Sequence, residues 1–196
     1  MDTKQIIKDL SDLRIKGRHR VWEPFLTKYN CKRVCEVGVC DGANFRDFIT
    51  DDMEIAVGVD SWIDDGVISR NDGGYTQEKL DTQYNDFIEE HKDRPFVKTL
   101  REYSIDAVKK FEDNYFDLIY IDADHTYNGC KRDIEDWYLK VRLGGFLIGD
   151  DYRRKYITRT NVVFGVVQAV NEFAEENNLE FFELPHHGWG IIKPYQ

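Results

Sequence analysis

Two short acidic stretches carry residue types able to do chemistry. Asp122-Ala-Asp124-His125 closes the apolar run Leu118-Ile-Tyr-Ile121, and Asp150-Asp151 closes the run Phe146-Leu-Ile148. Between them Cys130, Ile134, Trp137 and Val141 recur at spacings of four, three and four, which is one face of a helix. Strand, helix, strand in that order makes two parallel strands whose carboxyl ends share one edge of a sheet. Asp122, Asp150 and Asp151 are then expected together at that edge. Three carboxylates in one place repel, and stay ionised only with compensation, which a hard divalent cation bound through oxygens provides. Oxygen-only ligands favour magnesium, manganese or calcium over zinc. Taken singly, each acid reads better as a strand terminus or a helix cap. Three of them on adjacent strand ends favour the cation. Asp122 or His125 can take a proton there, although a helix-entry histidine bonded to backbone accounts for His125 as well.

A second constellation lies earlier in the chain. Arg33 to Val39 reads as the first sheet strand, and Glu36-x-Gly38-x-x-x-Gly42 spans its end and the following turn. Gly38 allows close backbone approach to a ligand, and Gly42 suits positive φ. The helix begun by Phe45, Phe48 and Ile49 turns free N–H groups towards an anion. The spacing differs from G-x-G-x-x-G. Asp60 ends the second strand, Ile55 to Val59, about 20 residues beyond the turn, where an acid accepts both ribose hydroxyls. One polar strand end means little, but its pairing with the glycine turn favours a nucleoside ligand.

Positioning these residues takes an alternation of strands and helices. Leu80, Tyr84, Phe87, Ile88 and His91 mark a helix, with His91 at its end for structural reasons; Phe96 to Leu100 marks a strand; Ala107, Val108 and Phe111 mark another helix. Gly144-Gly145 is read as the stop of the helix through Val141. Val163 to Phe173 gives a last helix. Glu180 to Leu184 and Trp189 to Ile192, joined by Pro185-His-His-Gly188, give a closing antiparallel pair. Ahead of the first strand, Ile6, Leu10 and Leu13 mark a helix, Gly17-Arg-His-Arg20 breaks it, and Trp22 to Phe25 begins another. The expected fold is a Rossmann-like, doubly wound α/β sheet, mostly parallel with an antiparallel last strand and helices on both faces. One domain over 1–196 is expected, with 1–30 as a helical extension. Two surface stretches stand out: the glycine-containing segment from Trp62 to Tyr75, read as a loop over the ligand edge, and a basic cluster of Arg153, Arg154, Lys155 and Arg159.

A net charge of -10 argues against nucleic acid or an anionic membrane as a broad partner and says little about a small-molecule substrate. No apolar run is long enough for a signal peptide or a membrane span, and a cytoplasmic location is the default. Cys31, Cys35, Cys40 and Cys130 match no zinc spacing and read as reduced thiols, mostly buried. A homodimer stays open.

The stretches CEVGVCDGANF, GVDSW, FDLIYIDADHTYNGCKRDIEDW and GGFLIGDDY resemble the class I S-adenosylmethionine-dependent methyltransferases. Within them the chain is similar to the branch of TylF-type sugar, cephalosporin-hydroxylase-like and catechol- or caffeoyl-type O-methyltransferases. The resemblance runs from about Arg33 to the C-terminus. It implies that Glu36, Gly38 and Gly42 border the methionine part of S-adenosylmethionine and that Asn44 binds its carboxylate. It further implies that Asp60 holds the ribose, Trp62 lies beside the adenine and Ser104 contacts the adenine edge. Asp122, Asp150 and Asp151 match the family's divalent-metal ligands, usually magnesium, although the last is often asparagine. Caffeoyl-type proteins carry lysine where His125 stands, so their catalytic base does not transfer. The implied activity is methyl transfer to a hydroxyl of a small molecule or sugar. Two alternatives remain: a nicotinamide-dependent Rossmann oxidoreductase, disfavoured by the glycine spacing and the closing strand pair, and a non-catalytic cofactor-binding protein, against which the intact acid set argues.

Overall fold

A computed structural model describes residues 2–16, 19–64, 76–152 and 164–195. In chain order the elements are α1 (Thr3–Ser11), β1 (Ile15–Lys16), β2 (His19–Arg20), α2 (Glu23–Lys28), β3 (Arg33–Val37), α3 (Ala43–Phe48), β4 (Ile55–Asp60) and α4 (Gln77–His91). There follow β5 (Val97–Arg101), α5 (Ser104–Ala107) with a 3-10 turn (Val108–Lys110), β6 (Phe116–Ile121), α6 (Tyr127–Lys140), β7 (Val141–Gly149), α7 (Val166–Glu176), β8 (Phe181–Leu184) and β9 (Gly188–Ile192). Asp2, Thr76 and Thr126 begin α1, α4 and α6 by accepting a backbone N–H two or three residues on, which satisfies an otherwise orphaned donor.

Seven strands form one sheet in the order β5-β4-β3-β6-β7-β9-β8. Strands β3 to β7 are parallel, and β9 runs antiparallel to both β7 and β8. The chain moves outwards from β3 to β5 and then returns to lay β6 against β3. That reversal is the switch point at which open α/β sheets bind ligands outside the carboxyl ends of the strands. In register, Val37 lies beside Ile121 and Ile121 beside Gly149, so β3, β6 and β7 end together. Burial on both faces explains the apolar strand sequences. One face packs Ile134, Trp137, Val170 and Phe173 of α6 and α7; the other packs Phe25, Phe45, Phe48 and Phe87 of α2, α3 and α4. Among the described residues no helix is long and apolar enough to cross a membrane.

Three expectations change. Gly144-Gly145 does not stop α6, which ends at Lys140 and runs straight into β7. The glycines instead lie within β7, where the register with β6 shifts. A β-carbon on Gly144 would meet the Tyr195 ring at 2.1 Å, and one on Gly145 the carbonyl of Asp117 at 2.8 Å, so both answer to packing. The first strand ends at Val37 rather than Val39, because Gly38 turns away at φ 97°. The stretch after α1 pairs as a two-residue hairpin, Ile15 with Arg20 and Lys16 with His19. Segment 65–75 and the basic cluster at 153–159 lie outside the described residues.

Candidate active site

Backbone crowding dictates the glycine turn. A β-carbon on Gly38 would lie 2.1 Å from the carbonyl oxygen of Asp122, so it is β6 that approaches this close. Gly42 sits at φ 74° at the start of α3, under the Phe87 ring. The Asp60 carboxylate accepts the backbone N–H groups of Cys40 at 2.9 Å and Trp62 at 2.8 Å, stapling the turn to the end of β4. Burial raises the pKa of Asp60 and these donors oppose the rise. The backbone of Val39 and Ser61 adds to them, so the carboxylate is held by main-chain donors from both sides.

Beneath the turn Glu36 is 1% exposed. Its Oε1 accepts from Asn44 Nδ2 at 2.9 Å, and Asn44 Oδ1 accepts from the Trp22 indole at 3.3 Å. Glu36 Oε2 is buried and has no hydrogen-bond partner among the described residues. Burial pushes the Glu36 carboxyl well above its usual range, and Asp122, Asp60 and Asp41 push it further against the pull of Asn44. An orphaned carboxylate oxygen among three other acids suits a cationic hydrogen-bond donor. S-adenosylmethionine, with its ammonium and sulfonium charges, matches that demand.

Three of the expected cofactor contacts have partners within the chain. The Asn44 amide faces inwards to Glu36 and Trp22. Trp62 is fully buried at φ 44°, its ring against Tyr84 and Phe87 and its N–H on the Cys40 carbonyl at 2.8 Å. Ser104 Oγ donates to Asp133 Oδ1 at 2.6 Å and accepts from Trp137 Nε1 at 2.7 Å. Asp133, 2% exposed, escaped the sequence reading; its signal was an acid on the apolar face of α6, three residues after Cys130 and four before Trp137. Burial lifts its pKa to about 6. The folded chain therefore holds the proton more tightly than the unfolded one, and stability falls as pH rises from the ordinary aspartate range to about 6. Asp133→Asn keeps an acceptor for Ser104 without the charge. It is expected to raise stability at pH 8 by on the order of 2 kcal/mol, roughly 4–8 °C in melting temperature, with the gain vanishing below about pH 4. Thermal melts across that range check this.

At the ends of β6 and β7, His125 Nε2 lies 3.1 Å from Asp122 Oδ1 and 3.2 Å from Asp151 Oδ2. One ligand atom from each residue falls within 4.8 Å of the others. The imidazole stacks on Phe164, with ring centroids 4.5 Å apart, and the His125 carbonyl accepts the Gly165 N–H at 2.8 Å. Asp151 holds φ 57°, a strained conformation of a kind that gathers at functional sites. Burial raises the pKa of Asp122 to about 6, with His125 pulling down and Asp150 and Asp151 pushing up. Asp150 does not join this group. Its Oδ1 accepts the Asp151 N–H at 2.9 Å and its Oδ2 the Tyr120 hydroxyl at 3.1 Å, with buried Arg20 at 3.9 Å. Arg20 also bonds to Tyr120 and to the Pro185 carbonyl. The structure thus brings Asp122 and Asp151 together with His125 and leaves Asp150 beside Arg20. Two carboxylates and an imidazole suit a divalent transition metal at least as well as magnesium, which prefers oxygen.

A glycine turn after the first parallel strand, an acid after the second and a strand order that reverses between β3 and β6 define the fold of the class I S-adenosylmethionine-dependent methyltransferases. The chain belongs to that group through the family described as "Methyltransferase domain", whose model matches residues 35–152. Solved structures share the fold at low identity. A candidate caffeoyl-CoA O-methyltransferase from Staphylococcus aureus aligns at TM-score 0.64 and 16% identity over 98% of this chain and 93% of that one. An O-methyltransferase from Bacillus cereus in complex with S-adenosylhomocysteine aligns at 0.60 and 15% over 97% and 90%. The O-methyltransferase NovP aligns at 0.58 and 16% over 98% and 79%. A search of curated proteins finds no match.

Proposed function

We propose that the protein moves the methyl group of S-adenosylmethionine to a hydroxyl oxygen of a small molecule, beside a divalent cation held by Asp122, His125 and Asp151. The observation that carries this reading is the meeting of those three side chains at the strand ends, across the switch point from Glu36 and the glycine turn. When bound, the cofactor supplies an electrophilic methyl group. A cation supplies positive charge that makes an acceptor hydroxyl more acidic and orients it. The chain's own residues do the rest. Glu36 offers its open oxygen to the ammonium group, and Asp60 holds the turn and a ribose hydroxyl. Phe164 fixes the imidazole plane of His125, whose Nε2 faces the carboxylates of Asp122 and Asp151. Asp150 fixes the backbone of Asp151 from behind.

The test is label transfer from S-adenosylmethionine in small-molecule extracts, with chelator and then with added metal. Label should reach a hydroxyl oxygen, stop with chelator and return with metal. The imidazole in the donor set predicts that manganese restores transfer at a concentration about tenfold or more below that of magnesium. Transfer that persists in chelator would remove the cation from the mechanism.

A further inference from the structure

We propose that Trp22, which precedes the span matched by the family, is a positioning residue for the cofactor: its indole N–H orients the Asn44 amide so that Glu36 keeps one oxygen open for an ammonium group. This rests on the methyltransferase reading and adds a residue to it.

An indole N–H can only donate, so it selects the carbonyl end of the Asn44 amide. The Nδ2 end is then the one that faces Glu36, at 2.9 Å, and it satisfies Oε1. The three residues are 0%, 9% and 1% exposed, which leaves little room for water to substitute for a lost partner. The donor is itself held firmly. The Trp22 ring meets Phe48 and Tyr120 edge-on, each at 5.5 Å, its backbone N–H reaches the Asp47 carbonyl at 3.4 Å, and α2 begins immediately after it. Without the indole donor, Asn44 is free to turn its own carbonyl towards Glu36. In the ionised Glu36 that a bound ammonium group selects, two acceptors would then face each other in a buried place, or Oε2 would rotate in to recover a donor. Either outcome takes away the open oxygen. Of the cofactor's two cationic groups only the ammonium carries N–H donors, since a sulfonium has none. The ammonium is therefore the group that Oε2 awaits.

The experiment measures S-adenosylhomocysteine affinity by calorimetry on the full chain. This ligand keeps the ammonium and lacks the sulfonium charge. Trp22→Phe retains the aromatic packing and removes the donor. It should weaken binding roughly tenfold. It should change by less than about twofold the affinity of a deamino analogue that lacks the ammonium group. In a Glu36→Gln background the Trp22→Phe effect should also shrink below about twofold, because a glutamine amide can pair with either end of Asn44. Unchanged affinity in Trp22→Phe overturns the proposal. So does an equal loss for both ligands or in both backgrounds, which is what a packing defect produces. If Trp22→Phe fails to fold, Asn44→Leu removes the same link and is read by the comparison of the two ligands alone, since leucine leaves E36Q no amide to pair with. A wild type that binds neither ligand overturns the methyltransferase reading itself, whereas the outcomes above overturn the role of Trp22 alone.

Discussion

Replacing Asp122 with asparagine should lower methyl transfer by about 10²-fold or more and leave S-adenosylhomocysteine affinity within about twofold. The two halves of the site hang on different strands, which is why the effects separate. Glu36, the glycine turn and Asp60 come from β3 and β4, whereas Asp122 and Asp151 come from the ends of β6 and β7. Asp122 has two functions to lose. It is one of two carboxylates facing His125 Nε2, and its oxygen lies at the strand end where an acceptor hydroxyl would lose its proton. Asparagine has nearly the same shape and keeps the backbone N–H that bonds to the Val37 carbonyl, so the close passage of β6 over Gly38 survives. Manganese titration by electron paramagnetic resonance, beside calorimetry with S-adenosylhomocysteine, separates the halves. Loss of manganese binding with intact cofactor binding is expected. Intact manganese binding in Asp122→Asn would remove this residue from the cation site.

The parts of this site that were legible beforehand are those fixed by local pattern. The apolar runs before Asp60, Asp122 and Asp150 place those acids on one edge, because a parallel strand buried on both faces must end where its apolar run ends. What stayed hidden depends on partners far away in the chain. Parallel strand ends put Asp150 at the same edge as Asp122 and Asp151, but the strand pattern does not show that Arg20 and Tyr120, 100 residues apart in sequence, sit beside its carboxylate. Trp62 follows Asp60, but a strand end does not reveal which way the next ring turns, and here it packs against Tyr84 and Phe87 of α4. Two-residue strands such as β1 and β2 leave no periodicity to read. Gly144-Gly145 imitates a helix stop because glycine serves equally where a β-carbon has no space.

Cofactor binding should release a proton, and Glu36 should be its source. In the free protein, burial and the neighbouring Asp122, Asp60 and Asp41 favour the neutral form of Glu36, with Asn44 alone among the named groups opposing them. An ammonium group set against Oε2 favours the charged form instead. The ligand thus binds best to deprotonated Glu36. Affinity should rise with pH while the free carboxyl is still protonated, by up to about tenfold per pH unit, and level off once pH exceeds its free-state pKa. The direction follows from linkage: a proton lost on binding makes binding tighter as protons become scarcer. Calorimetry at one pH in two buffers of different ionisation enthalpy counts the protons directly. Glu36→Gln keeps an amide for Asn44 and removes the titrating group, so its affinity should lose this component of the pH dependence. At pH 8 the variant should bind S-adenosylhomocysteine roughly 10- to 100-fold more weakly, the loss of one charge-assisted hydrogen bond. If the wild type and Glu36→Gln released equal numbers of protons, Glu36 would already be ionised before the cofactor arrives. Its burial among three acids would then need another counter-charge in the free protein.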